Sequence, residues 1–275
     1  ASQTRINTED VEFCSWLFDY SEEVRKMTNL LRSQIYKLFH NMIFWAGAAL
    51  TICSVLFYAV FESMKAETVA NGMPLFQYYS ILFQNYSTGL PVLIFCVVFA
   101  SDDFMSGAVH YYISKGISRI QYYLSKMITC AFAATLYVVI AGISGTIISQ
   151  ILWHNLDGLL QINTLQLLFF FFSQIILHAS YASFLVFTCF LFRSSVISSV
   201  VNMFLLIFGF YIVHRIEDAI WNSYVISMYW PVAMFQRVQV MTVAEWFSVV
   251  AAIFVIHGVL LTCIGIIIMK KRDIK

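Results

Sequence analysis

The chain has 275 residues, of which 60% are hydrophobic and 11% charged, with a formal net charge of +1 and a mean hydropathy of +0.79. A soluble domain is nearer about one-quarter charged, and this chain has too little polar surface to wrap an apolar core of its size. No basic stripe is present to engage phosphates, so nucleic acid is excluded as a partner.

In chain order, residues 1–23 form an acidic and aromatic segment expected in the cytoplasm, running from Glu9 to Glu23 in its acidic part. Residues 24–41 follow as a basic amphipathic helix. Met27, Leu30, Leu31, Ile35, Leu38 and Phe39 recur at helical spacing, while Arg25, Lys26, Arg32 and Lys37 fall on other faces. Such a helix lies in a membrane interface with its cations toward lipid phosphates, although a cytosolic helix packed on protein has the same pattern. The first apolar run begins only after some forty residues, so no cleavable signal peptide is expected.

Residues 42–275 are expected to form one all-α membrane domain. Six runs free of Asp, Glu, Lys and Arg, at 42–61, 82–100, 127–152, 165–192, 196–213 and 248–269, are long enough to cross a hydrocarbon core, which takes ~20 residues. Between the second and third runs, residues 101–126 are mixed in polarity. Asp102 and Asp103 stand where the second run ends and are expected to open a helix that leaves the membrane. Arg193-Ser194-Ser195 makes a minimal turn. The segment 214–246 is long and semi-polar, with Trp221, Tyr224, Tyr229, Trp230 and Trp246 suited to headgroup depth. Pro231 interrupts it, which predicts a pair of short helices dipping into the outer leaflet.

Basic residues orient the bundle. Of the 16 Lys and Arg, only Lys65, Arg215 and Arg237 fall on the proposed outer side. The others, among them Arg32, Lys37, Lys115, Arg119, Lys126, Arg193 and Lys270, fall on the inner side. This asymmetry predicts cytoplasmic amino and carboxyl termini.

Most enzymatic and ion-coupled chemistry lacks its residues. The six cysteines form no CxxC pair and read as small hydrophobes. No G-x-x-x-x-G-K-[ST] occurs to cradle ATP, and no HExxH to hold a metal. Within the six runs only His178 and His257 are ionisable to a useful degree, which disfavours a carrier powered by its own coupling ion. These two histidines and Asn202 are the candidates for a translocation path; equally, His178 could bridge helices through Asn202, and Gln150, Gln174 and Asn202 read first as helix bridges. Gly142-Ile143-Ser144-Gly145 together with His257 is similar to the serine and histidine of rhomboid-type intramembrane proteases. Small residues at such spacing more simply serve close helix packing.

The inner segment bears the most specific pattern: Asp103, Gly107-Ala108, Gly116, Arg119 and Lys126. With the basic helix before the first span and the outer segment before the sixth, it resembles the permease subunit of bacterial ABC-2 type ABC transporters, with Ala108 where that family tends to have threonine. The resemblance covers residue 24 to the end and implies six spans, a cytoplasmic coupling helix and an outer helical pair. It implies a second permease, identical or homologous, and two cytoplasmic ATPase subunits that bind ATP and Mg, with no cofactor in this chain. Asp102, Asp103, Phe104, Met105, Gly107, Val109, Tyr112, Gly116 and Arg119 would then meet the ATPase, with Phe104, Met105, Val109 and Tyr112 turned into a groove of that partner. The implied function is export of a hydrophobic or amphipathic substrate, a peptide or a lipid, from the bacterial cell. The rhomboid-like protease and a non-transporting sensor or immunity subunit are the alternatives.

Overall fold

The computed structural model describes residues 8–65, 78, 79, 82, 83, 88–153, 164–221, 227–230 and 243–271. Among these residues every regular element is helical. Helix α1 spans Thr8–His40 and runs without a break through the junction of Glu23 and Val24. Asn41 then turns the chain: its backbone is extended, and its side chain accepts a hydrogen bond from the Ile43 amide at 2.8 Å, capping α2 (Met42–Ser63).

Helix α3 (Gly89–Met105) is followed after a bend of 66° by the short α4 (Ala108–Ser114). Then come α5 (Arg119–Trp153), α6 (Thr164–Phe192) and α7 (Ser195–Trp221). A single 3-10 turn, Ser227–Tyr229, precedes the last rod. That rod is α8 (Val243–Ile253), a π-helical stretch (Phe254–Leu260) and α9 (Leu261–Lys271).

Five helices are long and apolar enough to cross a membrane, and α3 with α4 makes a sixth if the bent pair counts as one span. The chain is therefore a multi-pass membrane protein, all-helical among the described residues. The expected second span began at residue 82, but the continuous helix begins at Gly89, and residues 84–87 lie outside the described set. Leu82 and Phe83 are nevertheless helical and fully buried.

Helices α5 and α6 pack most extensively on each other, with α2 and α1 against α5 and α3 against α6. Glycines set these approaches. A Cβ on Gly142 would lie 2.8 Å from the Phe171 ring of α6, and one on Gly47 would lie 3.0 Å from Cζ of Tyr137. Tyr137 in turn donates to the Phe44 carbonyl at 3.0 Å. Phe44, Phe95 and Tyr137 meet at ring separations of 5.3–6.1 Å, joining α2, α3 and α5. By contrast, α7 exposes Val196, Val200, Phe204 and Phe208 along one face, the surface a lipid-facing helix carries.

The observed helices outrun the apolar runs at their ends. α5 starts at Arg119 rather than near residue 127, and α7 continues through the polar 214–221 stretch to Trp221. Where a pair of short outer helices was expected, the described residues therefore contain an extension of α7 and one 3-10 turn. Residues 222–226 and 231–242 of that segment, with Tyr224, Pro231 and Arg237, lie outside the described set.

Candidate functional site

Two places gather polar chemistry. The first is the elbow between α3 and α4. The α3 helix closes with Ser106, whose amide bonds the Asp102 carbonyl at 2.9 Å, and Gly107 then adopts φ 71°. That left-handed backbone is why a glycine stands there. No atom of the chain lies within 4 Å of a Cβ built at Gly107, so within this chain the glycine serves the turn. At the far end Gly116 has φ 80°, with the Ile117 amide bonding the Tyr112 carbonyl and the Gly116 amide the Ile113 carbonyl. This is a complete Schellman closure. Asp102 and Asp103, expected to begin a helix, instead occupy the last turn of α3.

A carboxylate in a last helical turn opposes the helix dipole. Asp103 is compensated by cations. Its Oδ2 accepts from Lys126 Nζ at 2.8 Å and from the Tyr122 hydroxyl at 2.7 Å, and its Oδ1 lies 3.5 Å from Lys37 Nζ. Both Asp103 (3% exposed) and Lys126 (1%) are buried. Lys126 also donates to the Phe99 carbonyl at 3.1 Å and rests over the Phe99 ring at 4.0 Å. Burial pushes the Lys37 ammonium down, but the Tyr112 hydroxyl and the Asp103 charge outweigh it and hold Lys37 above the ordinary lysine value. One carboxylate thus ties α1, α3 and α5 together.

Helix α4 is fastened to the same knot. Val109 is buried and Tyr112 lies 5.6 Å from the Tyr122 ring, while Phe104 at the end of α3 meets the Phe190 ring at 4.9 Å. Of the four residues expected to face a partner's groove, only Met105 (73% exposed) is outward. The exposed face of the elbow is instead Asp102, Met105, His110, Tyr111 and Lys115, with Arg119 half-buried.

The second place is a cavity of ≈ 10 Å³ inside the bundle, lined by residues that include Asn202, Trp230 and His257. That volume suits about one water. Gly209 makes room for the indole, since a Cβ there would lie 2.7 Å from the Trp230 ring. Asn202 donates through Nδ2 to Thr188 Oγ1 at 2.6 Å, and its Oδ1 has no partner among the described residues. His257 Nε2 lies 3.2 Å from the Tyr229 carbonyl and so bears the proton, which makes Nδ1, without a partner among the described residues, an acceptor. Trp230 Nε1 is a donor without a partner among the described residues. The residues lining the cavity thus carry one donor and two acceptors without partners among the described residues, the complement of a water that donates twice and accepts once.

Of the three path candidates, Asn202 and His257 share this cavity and His178 does not line it. His178 does not bond Asn202 either. Its Nδ1 donates to the Gln174 carbonyl at 2.7 Å, and its Nε2 accepts from Thr88 Oγ1 at 2.6 Å, which pins the start of α3 to α6. The serine and histidine of the protease alternative are not hydrogen-bonded to each other. The Ser144 hydroxyl is donated to the Ile140 carbonyl of its own helix at 2.7 Å, while Gly142 and Gly145 accommodate Phe171 and Tyr79.

The sequence reading missed Lys37, Tyr122 and Trp230 as site residues. An acid and a base flanking the segment 101–126, at Asp103 and Lys126, were the available signal for the ionic knot. No signal marked Trp230, because its partners come from three separated helices. No metal-binding cluster of His, Cys, Asp and Glu occurs among the described residues. Comparison with models of known protein families gave no match, and comparison with curated proteins gave none.

Proposed function

We propose that the chain is the membrane-spanning permease subunit of an ATP-driven transporter of the ABC-2 type, exporting a hydrophobic or amphipathic substrate. ATP and Mg are bound by separate cytoplasmic ATPase subunits, and a second permease, identical or homologous, completes the path. Its setting is the bacterial cell membrane, with both termini in the cytoplasm.

The observation that carries this reading is the elbow. A chain with no nucleotide motif that is driven by ATP needs a rigid piece through which an outside engine moves its spans. The bent α3–α4 unit has that character: Gly107 and Gly116 fix its turns, and the Asp103–Lys126 pair anchors it to α5. Its outward face, with Met105 and Tyr111, is apolar enough to dock.

The test is purification of the tagged chain from native membranes and mass spectrometry of what comes with it, followed by ATP hydrolysis in reconstituted vesicles. A P-loop ATPase should co-purify, and its hydrolysis should rise with added cargo. Recovery of the chain without any ATPase would sink the transporter reading. Recovery with an ATPase but without cargo movement would favour the sensor or immunity alternative.

A further inference from the structure

A pocket of ≈ 400 Å³ opens where α1, α2, α3 and α5 converge, beside the ionic knot. Its volume falls within the ~300–1,000 Å³ typical of ligand sites. Its wall carries both signs of charge, from Lys37 on α1, Asp102 and Asp103 on α3, and Lys126 on α5.

These four charges are not equivalent. Asp103 and Lys126 are buried and matched to each other at 2.8 Å. Lys37 lies 3.5 Å from Asp103 and donates to the Tyr112 hydroxyl, yet 43% of its side chain is exposed and its ammonium has a third donor to offer. Asp102 is exposed and forms no ion pair among the described residues. One cation and one carboxylate are thus left to face an occupant. The α2 amino terminus, with Asn41 and Met42 in the wall, adds partial positive charge on the Lys37 side.

We propose that this pocket binds the head group of a zwitterionic phospholipid bearing a primary ammonium, the chemistry of phosphatidylethanolamine. The phosphate meets Lys37 and the α2 amino terminus, and the ammonium meets Asp102. A ligand with only negative charge would set its phosphate against Asp102 as well. A quaternary ammonium could not donate a hydrogen bond to that carboxylate.

The setting matches a lipid rather than a free solute. The pocket sits where the charged end of α1 gives way to the apolar α2, the depth at which head groups lie. Met42 forms part of its wall, and the exposed Phe39, Trp45 and Phe132 continue the apolar surface for acyl chains. Trp45 is held there by its indole bond to the Phe39 carbonyl at 2.8 Å. A bound head group would bridge α1 to α3 and so reinforce the elbow.

The experiment uses the full chain in dodecylmaltoside micelles, with binding read by native mass spectrometry and by Tm. The probes are phosphatidylethanolamine, phosphatidylcholine and phosphatidylglycerol of matched acyl chains, and inorganic phosphate. Phosphatidylethanolamine should bind about tenfold more tightly than either other lipid, as one charge-assisted hydrogen bond allows. Inorganic phosphate should not compete at comparable concentration. Asp102→Asn, at an exposed position, should erase the preference for phosphatidylethanolamine over phosphatidylcholine while Tm without lipid does not fall, since the change removes a carboxylate that opposes the helix dipole. Lys37→Gln should weaken both lipids together. Equal binding of the three lipids, an unaltered preference in Asp102→Asn, or competition by inorganic phosphate would each overturn the proposal.

Discussion

Asp103 and Lys126 are the pair on which the elbow end of the bundle depends, because each neutralises the other where water cannot. Removing one charge leaves its partner buried and uncompensated, which costs about 3–5 kcal/mol. Asp103→Asn should therefore lower Tm in detergent sharply. The double change Asp103→Leu with Lys126→Met should recover much of the loss, since an apolar pair of similar volume replaces a buried ion pair at little cost. A double variant no more stable than Asp103→Asn would show that the knot acts through Tyr122 and Lys37 rather than through the pair. Ser144 offers the opposite case. Its hydroxyl serves only its own helix, so Ser144→Ala should stay within about 0.5 kcal/mol and leave activity unchanged. Gly142→Leu should unfold the α5–α6 contact, because Phe171 already occupies the space. If Ser144→Ala abolished activity with expression and Tm intact, the hydroxyl would have chemistry to do, and the protease alternative would return.

At the scale of elements, the elbow is fixed by backbone conformation as much as by contacts. Gly107→Ala and Gly116→Ala each force a Cβ into left-handed backbone, at about 1–2 kcal/mol. Amide exchange across residues 108–114 should then quicken several-fold with no change in the rest of the bundle. Gly116→Asn should quicken it less, since asparagine tolerates that conformation. Equal protection in wild type and both alanine variants would mean that packing of Val109 and Tyr112 alone holds α4. The long helices themselves were legible in the sequence, because a charge-free run of span length in lipid has to be helical. Their ends were not. Hydropathy reports where lipid stops, whereas a helix stops only where its backbone is interrupted, and 214–221 contains no glycine or proline to end α7. The inner segment was legible as a landmark through Gly107 and Gly116, yet the direction of its side chains was not. With two turns broken by left-handed residues, the periodicity that assigns faces loses its phase, and Val109 and Tyr112 turned inward. The π-helical stretch around His257 was invisible for the same reason, since one extra residue per turn leaves composition unchanged.

For the whole molecule, the asymmetry of basic residues makes an orientation that can be checked at described, exposed positions. In a background lacking the native cysteines, a cysteine at Lys65 should label from outside, and one at Lys115 only after the membrane is opened. Outside labelling at Lys115 would invert the bundle and remove the elbow from any cytoplasmic partner. The docking of that partner is the sharper question, because the structure separates residues that hold the elbow from residues that present it. Tyr112 is packed on Tyr122 and beside Lys37, so Tyr112→Ala should act on the chain itself, lowering Tm. Met105 (73% exposed) and Tyr111 (61%) touch little of their own bundle, so Met105→Ala with Tyr111→Ala should leave Tm nearly unchanged. If an ATPase docks here, truncating these two removes contact worth about 1–3 kcal/mol each when buried in a partner's groove. Co-elution of the ATPase and cargo-stimulated ATP hydrolysis should then both fall in the double variant. The control is an exposed apolar change of similar size on the lipid face of α7, Phe204→Ala, which should leave co-elution intact. Should the Met105 and Tyr111 variant behave like that control while Tyr112→Ala merely destabilises, the elbow is a structural brace, and the coupling surface must be sought on another element.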